Sequence, residues 1–289
     1  MKVSGFTIAR NAVRFDYPVV ESIRSILPMC DEVVVLVGQG DDGTSELVSA
    51  IDPKVRVIPS VWDDGLREGG LVLAVETDKA RSAIAVDSDW AFYIQADEVV
   101  HEEDLDAIRT AMIRHRDDRR VQGLLFDYVH FYGSYHLVGD PNRWYAREVR
   151  IVRNYPTIRS WKDAQGFRTT SGEKLRVRPS GGRIFHYGWV KEPKVMQRKQ
   201  RNFHRLWHAD QWVDERYPEG EDFDFRRTLF LERFAGTHPK VMQDRIARQA
   251  LKYEPPAGSN RRGLKDLLKH WVQRLTGWRP GEYRNFKRL

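Results

Sequence analysis

Two adjacent carboxylates, Asp97 and Glu98, follow the strand-like segment WAFYI, which is rich in aromatic and β-branched residues. In an open parallel α/β sheet, ligands bind beyond the carboxyl ends of the strands, where these side chains are expected. One carboxylate there can bind Mg²⁺ or Mn²⁺ on a substrate diphosphate while its neighbour orients a ligand hydroxyl. The alternative is structural: both residues only begin the acidic turn that favours the following helix.

The chain before these carboxylates alternates predicted strands with predicted helices. The segments KVSGFTIA, EVVVLV, VRVIP and WAFYI are typical of strands, and EVVVLV is apolar enough to be buried on both faces. Apolar residues at helical spacing predict helices over residues 19–27, from 44 onward, over 78–86 and from 105 onward. This alternation predicts a parallel, Rossmann-like sheet over residues 1–115.

The pattern changes after residue 115. The segments VQGLLFDYVHFYG, REVRIVRN and GRIFHYG are typical of strands, and the pattern is helical again from Glu192 onward. The loops YPEGED and EPPAGSN are typical of boundaries, the second isolating a C-terminal tail.

The composition is that of a globular protein, since the 289 residues are 41% hydrophobic and 31% charged. No apolar run approaches the roughly 20 residues that cross a bilayer. The N-terminal sequence MKVSGFTIARN lacks a signal-peptide core, so we expect a cytoplasmic protein. Cys30 is the single cysteine, which excludes an intrachain disulfide and a cysteine-based zinc site.

The net charge of +7 comes from the tail. Residues 260–289 contain nine Lys and Arg against two Asp and Glu, which leaves 39 basic and 39 acidic residues in the rest. Because the body is balanced and has no recognisable nucleic-acid-binding motif, we expect no nucleic-acid partner.

The tail also has an amphipathic pattern. Its apolar residues that share one helical face are Leu264, Leu267, Leu268, Trp271 and Leu275. A basic amphipathic helix of this kind can lie on an anionic membrane surface, or it can pack on its own domain.

The segment GQGDDG, residues 38–43, matches the G-x-G-x-x-G dinucleotide fingerprint, with Asp63 and Asp64 about 20 residues later. Asp41 and Asp42 would, however, place two negative charges in the loop that should hold a pyrophosphate, and a complete β-α unit already precedes it. The alternative is a glycine turn with Asp42 capping the next helix.

Three segments, FTIARNA, EVVVLVGQGDDGTSELV and DWAFYIQADEVVHEED, resemble the family 2 glycosyltransferases of the GT-A fold, particularly bacterial members of polysaccharide and lipopolysaccharide pathways. The resemblance covers residues 1–190. It implies an α/β GT-A fold, a Rossmann-like, mostly parallel sheet flanked by helices, with a helical C-terminal extension. The implied domains are a catalytic domain over 1–190 (nucleotide-sugar half 1–115, acceptor half 116–190), a helical extension over 191–258 and a basic amphipathic tail over 259–289.

The resemblance also implies a Mg²⁺ or Mn²⁺ cofactor. The family ends a strand in a variant Asp-x-Asp motif, often Asp-Ala-Asp-Glu, which holds the metal and the donor diphosphate. Here the motif reads Gln95, Ala96, Asp97, Glu98, so that Asp97 keeps the metal position while Gln95 brings no charge. The implied metal ligands are Asp97, Glu98 and His186, the last in the segment FHYGW. A second departure is Val37, where the family usually has an Asp near the nucleobase.

The remaining implied site residues belong to the donor and to the catalytic base. The implied nucleotide-sugar-binding residues are Ala9, Asn11, Asp41, Asp42, Lys79, Gln95, Ala96, Asp97 and Lys191. Inverting transfer needs a base that takes the proton of the acceptor hydroxyl. Asp163, in RSWKDAQGF, is the predicted base, and Asp127, in LLFDYVHFY, is the reserve.

The function that follows is a metal-dependent, inverting glycosyltransferase with a nucleotide-sugar donor and a glycan or lipid-linked acceptor. The tail would then place the enzyme on the inner face of the membrane. The alternatives are a nucleotidyltransferase or NAD-binding enzyme on a similar sheet, or a nucleic-acid-binding protein that uses the basic tail.

Overall fold

The computed structural model describes residues 1–139, 144–227, 231–249, 251, 253–256, 271, 272, 275, 276 and 283–289. Its helices are α1 (Val19–Ile26), α2 (Thr44–Ser49), α3 (Leu71–Ser82), α4 (Leu105–His115), α5 (Pro193–His204), α6 (Asp210–Arg216) and α7 (Gln243–Arg248). In the described part of the chain, no helix is both long and apolar enough to span a bilayer.

The strands form one large sheet and one small one. They are β1 (Val3–Ala9), β2 (Glu32–Gly38), β3 (Val55–Ser60), β4 (Trp90–Tyr93), β5 (Glu98–Val100), β6 (Gly123–Tyr132), β7 (Ser134–Gly139), β8 (Arg147–Arg153), β9 (Ile158–Trp161), β10 (Gly166–Thr169), β11 (Leu175–Trp189), β12 (Leu231–Arg233) and β13 (Phe286–Arg288). β9 and β10 form the small sheet, and the other strands belong to the large one.

The first four strands confirm the predicted parallel unit. Their order is β3-β2-β1-β4, and each pairs with its neighbour in parallel. Beyond β4 the sheet continues through β8, β6, β7 and β12 in antiparallel pairs, and the long strand β11 lies parallel to β6. β5 and β13 add to β11. The predicted α/β class is confirmed.

Both faces of the parallel unit are covered, which explains the continuous apolar run of β2. Val33, Val35 and Val37 lie in a core cluster with residues of α1 and α4, whereas Val34 and Leu36 lie in a second cluster with residues of α3. A strand buried on both sides has no polar face, so its sequence does not alternate.

Three local predictions were wrong or incomplete. The helix predicted over 78–86 is α3, which begins earlier, after Gly70 in the left-handed conformation, and ends at Ser82. The predicted helical extension also contains β12, which pairs with β7. The predicted basic tail ends in a strand, β13, which pairs with β11 and so adds to the large sheet. Most of the predicted amphipathic helix lies outside the described residues.

Candidate functional site

A cavity of about 780 Å³ opens at the carboxyl ends of β1 and β4. The loop around residue 163 and the second half of α5 form other parts of its wall. It is lined by six of the predicted site residues, namely Ala9, Gln95, Ala96, Asp97, Asp163 and His186. The position agrees with the rule that ligands bind beyond the carboxyl ends of parallel strands.

Asp97 is a buried carboxylate that lies near two lysines and a histidine. Its side chain accepts a hydrogen bond from the Lys199 ammonium, with Nζ 3.2 Å from Oδ2, and the same oxygen lies 3.7 Å from His186 Nε2. Burial alone would raise its pKa, but Lys199, His186 and Lys191 outweigh burial and hold the pKa at about 2. Asp97 is therefore ionised at neutral pH.

A chain of hydrogen bonds fixes the tautomer of His186. His130 Nε2 lies 2.8 Å from the carbonyl oxygen of Tyr145, which can only accept, so this nitrogen carries the proton. Burial lowers the pKa of both imidazoles, so His130 is neutral and its Nδ1 accepts from His186 Nδ1 at 3.2 Å. His186 Nε2 is then left with a free lone pair beside Asp97.

Gly188 leaves room beside these two groups. A Cβ at this position would lie 2.5 Å from Asp97 Oδ2 and 2.8 Å from His186 Nε2. Both contacts are shorter than van der Waals distance, so only glycine permits this arrangement. The absence of a side chain at Gly188 therefore leaves space next to both Asp97 Oδ2 and His186 Nε2.

These observations show how well the residues fit a divalent metal. A carboxylate oxygen and an imidazole lone pair 3.7 Å apart suit two ligands of Mg²⁺ or Mn²⁺, which take their remaining ligands from water and a diphosphate. Among the described residues, no group of three or more His, Cys, Asp and Glu is placed to hold a metal. The chain would thus supply two ligands, and Lys199 already contacts one of them.

Glu98, predicted as a metal ligand, has a different role in the structure. Its side chain is fully buried, and its two oxygens accept from Arg150 Nε and Nη2, each at 2.8 Å. Tyr128 and the backbone of Gln95 donate to the same carboxylate. A carboxylate held in this way is not free to bind a cation, so the prediction for Glu98 was wrong.

Arg150 also holds the loop that carries Asp163. Its Nη1 donates to the carbonyl oxygen of Gln165 at 2.9 Å, while its other nitrogens bind Glu98. Asp163 stands between Lys162 and Ala164, both with positive φ, and burial raises the pKa of its carboxyl group. One guanidinium therefore ties together the segment after β4 and the loop of the predicted base.

Gln95, the uncharged first residue of the motif, lines the cavity. Its Nε2 donates to the carbonyl oxygen of Ala164 at 3.1 Å, which joins the two walls a second time. The side chain thus provides a neutral amide at the place where an Asp-x-Asp motif has its first carboxylate.

Three charged residues predicted for the site do not line the cavity, and each has a partner elsewhere. Asp127, the reserve base, is 66% exposed on β6 and pairs with Arg147. Lys79, on α3, pairs with Glu76. Lys191 is buried and donates to the carbonyl oxygen of Asp16 at 2.6 Å.

The predicted residues of the loops after β1 and β2, Asn11, Asp41 and Asp42, do not line the cavity. Asp41 is exposed and pairs with Arg14, and the Asp42 carboxylate accepts from the backbone and hydroxyl of Thr44, the first residue of α2. The N-cap position of α2 is Gly43, in the left-handed conformation, so the glycine turn of the structural alternative is present, whereas Asp42 binds the first residue of the helix from one position before the cap. Asn11 lies beside Gly40, whose Cβ would be 2.8 Å from Asn11 Oδ1.

The G-x-G-x-x-G segment borders a separate, smaller cavity of about 310 Å³. Of the two acidic residues that follow it, Asp63 accepts from the backbone of Gly65 and Asp64 binds Arg10. Neither carboxylate is placed as the ribose ligand of a dinucleotide fold. The structure therefore does not support the dinucleotide interpretation of this motif.

Several cavity residues were not predicted as site residues. Arg10, Trp62, Asp64 and Arg67 line one side of the cavity, where Arg10 lies over the Trp62 ring at 5.6 Å. The α5 side contributes Lys199, Phe203 and neighbouring residues. Arg10 carried a sequence signal, since it follows Ala9 directly at the end of β1.

Comparisons with known proteins give remote structural matches. No protein-family profile matches the chain, and no curated protein does. TarS 1-349 from S. aureus is similar with a TM-score of 0.37 and 12% identity over 74% of this chain and 69% of that chain. Glucosyl-3-phosphoglycerate synthase from M. tuberculosis, in complex with Mn²⁺, UDP and phosphoglyceric acid, is similar with a TM-score of 0.31 and 18% identity. That match covers 45% of this chain and 43% of the synthase, so the chain spans less than half of the synthase.

Proposed function

We propose that this protein transfers a glycosyl group from a nucleoside-diphosphate sugar to a hydroxyl group of an acceptor. The observation that carries the proposal is the convergence of Asp97, His186 and Asp163 on one cavity at the carboxyl ends of the parallel strands. The first two suit a metal-bound diphosphate, and the third is a carboxylate on a different segment. This division matches the resemblance of the sequence to family 2 glycosyltransferases.

The donor side is formed by Asp97 and His186, which would hold Mg²⁺ or Mn²⁺. A divalent cation there supplies Lewis-acid stabilisation of the departing diphosphate. The M. tuberculosis synthase binds Mn²⁺ and UDP; for this chain the proposal depends on the chemistry of its own two ligands. Arg10 and Arg67 add positive charge to the same cavity.

The acceptor side is formed by the loop of Asp163. In the transfer, the acceptor hydroxyl gives its proton to the Asp163 carboxylate, and its oxygen forms the new bond to the anomeric carbon. The bond between that carbon and the diphosphate oxygen breaks, and the nucleoside diphosphate leaves with the electron pair. Attack from the face opposite the leaving group inverts the anomeric configuration.

The acceptor class that we propose is a glycan or lipid-linked glycan. Trp144 and Tyr145 line the cavity, and aromatic faces of this kind stack on sugar rings. Trp161, at the end of β9 and close to Asp163 in sequence, is instead covered by the Arg168 guanidinium at 4.0 Å and does not line the cavity.

The test is the release of nucleoside diphosphate from a panel of UDP-, GDP- and dTDP-sugars in the presence of Mn²⁺. We expect release from one donor class, stimulated by oligosaccharide or lipid-linked acceptors. Release of pyrophosphate would indicate a nucleotidyltransferase, and an absorbance change at 340 nm with NADH would indicate a dehydrogenase. If correctly folded protein releases no nucleoside diphosphate with any donor or acceptor, the proposal is contradicted.

A further inference from the structure

Lys199 reaches into the cavity from α5, 102 residues after the carboxylate that it contacts. Its ammonium donates to Asp97 Oδ2 at 3.2 Å and to the carbonyl oxygen of Gly188 at 2.7 Å, and lies 4.9 Å from the centre of the Tyr17 ring. The residue is 9% exposed, so this charge is largely removed from water. An ammonium in such a place needs a specific counter-charge.

A second lysine lies deeper and makes its hydrogen bond to a different group. Lys191 donates to the carbonyl oxygen of Asp16, 4.5 Å from the Tyr17 ring centre. The carboxylate of Asp16 is itself occupied by Arg245 and Gln249. Lys199 is therefore the cation that directly neutralises Asp97.

Lys199 contacts the oxygen that a metal would use. Asp97 Oδ2 lies 3.2 Å from Lys199 Nζ and 3.7 Å from His186 Nε2. A divalent ion between Asp97 and His186 would lie close to the ammonium, and two cations at short range in a buried site repel strongly. The ammonium must then move along its flexible stem toward another anion.

We propose that Lys199 competes with the divalent cation for Asp97, and that the nucleoside diphosphate relieves the competition by taking over the lysine as a phosphate ligand. Metal and diphosphate then bind interdependently. The metal alone binds weakly because Lys199 holds its ligand, and the diphosphate alone binds weakly because Asp97 holds Lys199. This inference depends on the proposed nucleotide-sugar site and names the residue that couples its two ligands.

The experiment titrates Mn²⁺ into the protein with and without UDP and follows free Mn²⁺ by electron paramagnetic resonance. The variant is Lys199→Gln, which keeps hydrogen-bond donors for Asp97 and Gly188 but removes the charge. The control is Lys194→Gln, which removes the same charge from an exposed residue of α5. In wild-type protein, UDP should raise the Mn²⁺ affinity by on the order of tenfold, which is the size of coupling that close charge pairs give.

Lys199→Gln should bind Mn²⁺ alone roughly tenfold more tightly than wild type, and UDP should raise that affinity little or not at all. Lys194→Gln should match wild type in both titrations. Weaker or unchanged Mn²⁺ binding in Lys199→Gln would overturn the proposal. If that variant does not fold, the wild-type protein still decides, because equal Mn²⁺ affinities with and without bound UDP would overturn it too.

Different results contradict the proposed glycosyl transfer and the proposed coupling through Lys199. If no nucleotide binds to wild-type protein, the proposed function is contradicted, and so is the role of Lys199 as a phosphate ligand. The comparison of Mn²⁺ binding without nucleotide still tests whether Lys199 and the metal compete. If UDP binds but its affinity is the same with and without Mn²⁺, the site stands and the coupling is overturned.

Discussion

His130 and His186 face each other across the parallel strands β6 and β11, with their Nδ1 atoms 3.2 Å apart. The hydrogen bond from His130 to the carbonyl oxygen of Tyr145 makes His130 an acceptor toward His186. His186 Nε2 is consequently free of a proton beside Asp97. A buried histidine pair thus prepares a ligand nitrogen in the tautomer that binds metals.

Replacing His130 tests this arrangement. In His130→Phe, His186 loses the acceptor that fixes its ring, and we expect Mn²⁺ affinity in the presence of UDP to fall on the order of 10- to 100-fold. Titration calorimetry measures the affinity, and His136→Phe, at an exposed position of β7, is the control. An unchanged affinity in a folded His130→Phe protein would show that the pair does not position a ligand.

Arg150 is expected to contribute strongly to stability. Arg150→Met leaves the Glu98 carboxylate buried without a counter-charge, so the free energy of unfolding should fall by about 3–5 kcal/mol. The double variant Glu98→Gln with Arg150→Met should recover part of this loss. Arg147→Met removes an ion pair to an exposed partner and should cost about 1 kcal/mol or less. Urea denaturation measures all three, and equal losses in Arg150→Met and Arg147→Met would contradict the account.

Glu148 should make stability depend on pH. Burial raises the pKa of this carboxyl group from its ordinary value of 4.5 to about 8. Between these values the folded state binds a proton that the unfolded state has lost, so stability is greatest at low pH and falls as pH rises toward 8. Glu148→Gln, which resembles the protonated form, should remove a slope of about 1.4 kcal/mol per pH unit. Parallel slopes for wild type and variant in urea denaturation at pH 5 to 8 would refute this prediction.

Asp163→Asn should separate catalysis from donor binding. Removing a general base costs on the order of 10²–10⁴ in rate, so kcat for transfer should fall by that factor. UDP affinity with Mn²⁺ should stay near the wild-type value, since the donor ligands are on other segments. Asp127→Asn, on the exposed side of β6, is the matched control and should keep full activity. A loss of UDP binding in Asp163→Asn would place this residue on the donor side instead.

Gly188→Ala tests the close packing at the two ligand atoms. The added Cβ would lie 2.5 Å from Asp97 Oδ2, so the carboxylate must shift away from His186. We expect Mn²⁺-dependent UDP binding to weaken by about tenfold or more, because ligand atoms need to stay within fractions of an ångström of their positions. Gly65→Ala, at an exposed position, is the control. Normal UDP binding in Gly188→Ala would mean that the space at Gly188 is not used.

The sequence predicted the parts of the site that depend on local pattern. Alternating strands and helices located β1 to β4, and the end of β4 located Asp97, because the strand-end rule needs only the order of the elements. The resemblance to a known family added His186 and Asp163. All three line the same cavity.

The parts that depend on distant contacts were not predicted. Glu98 looked like a second metal ligand because its partner Arg150 is 52 residues away, and nothing local shows that pairing. The signal that did exist was in β8, where Glu148 and Arg150 are interleaved with the apolar residues of a predicted strand and indicate a buried polar network. Lys199 was not predicted as a site residue, since helical periodicity does not tell which lysine faces a cavity.

Whether Asp97 holds a metal-bound nucleotide can be tested by calorimetric titration of UDP, GDP and dTDP into the protein, with Mn²⁺ and with EDTA, repeated on Asp97→Asn and Asp127→Asn. We expect one nucleotide to bind in the presence of Mn²⁺, EDTA to weaken this binding by at least about tenfold, and Asp97→Asn to abolish it while Asp127→Asn does not. Binding that is equal in wild type and Asp97→Asn, or no binding of any nucleotide to folded wild-type protein, would contradict this role of Asp97.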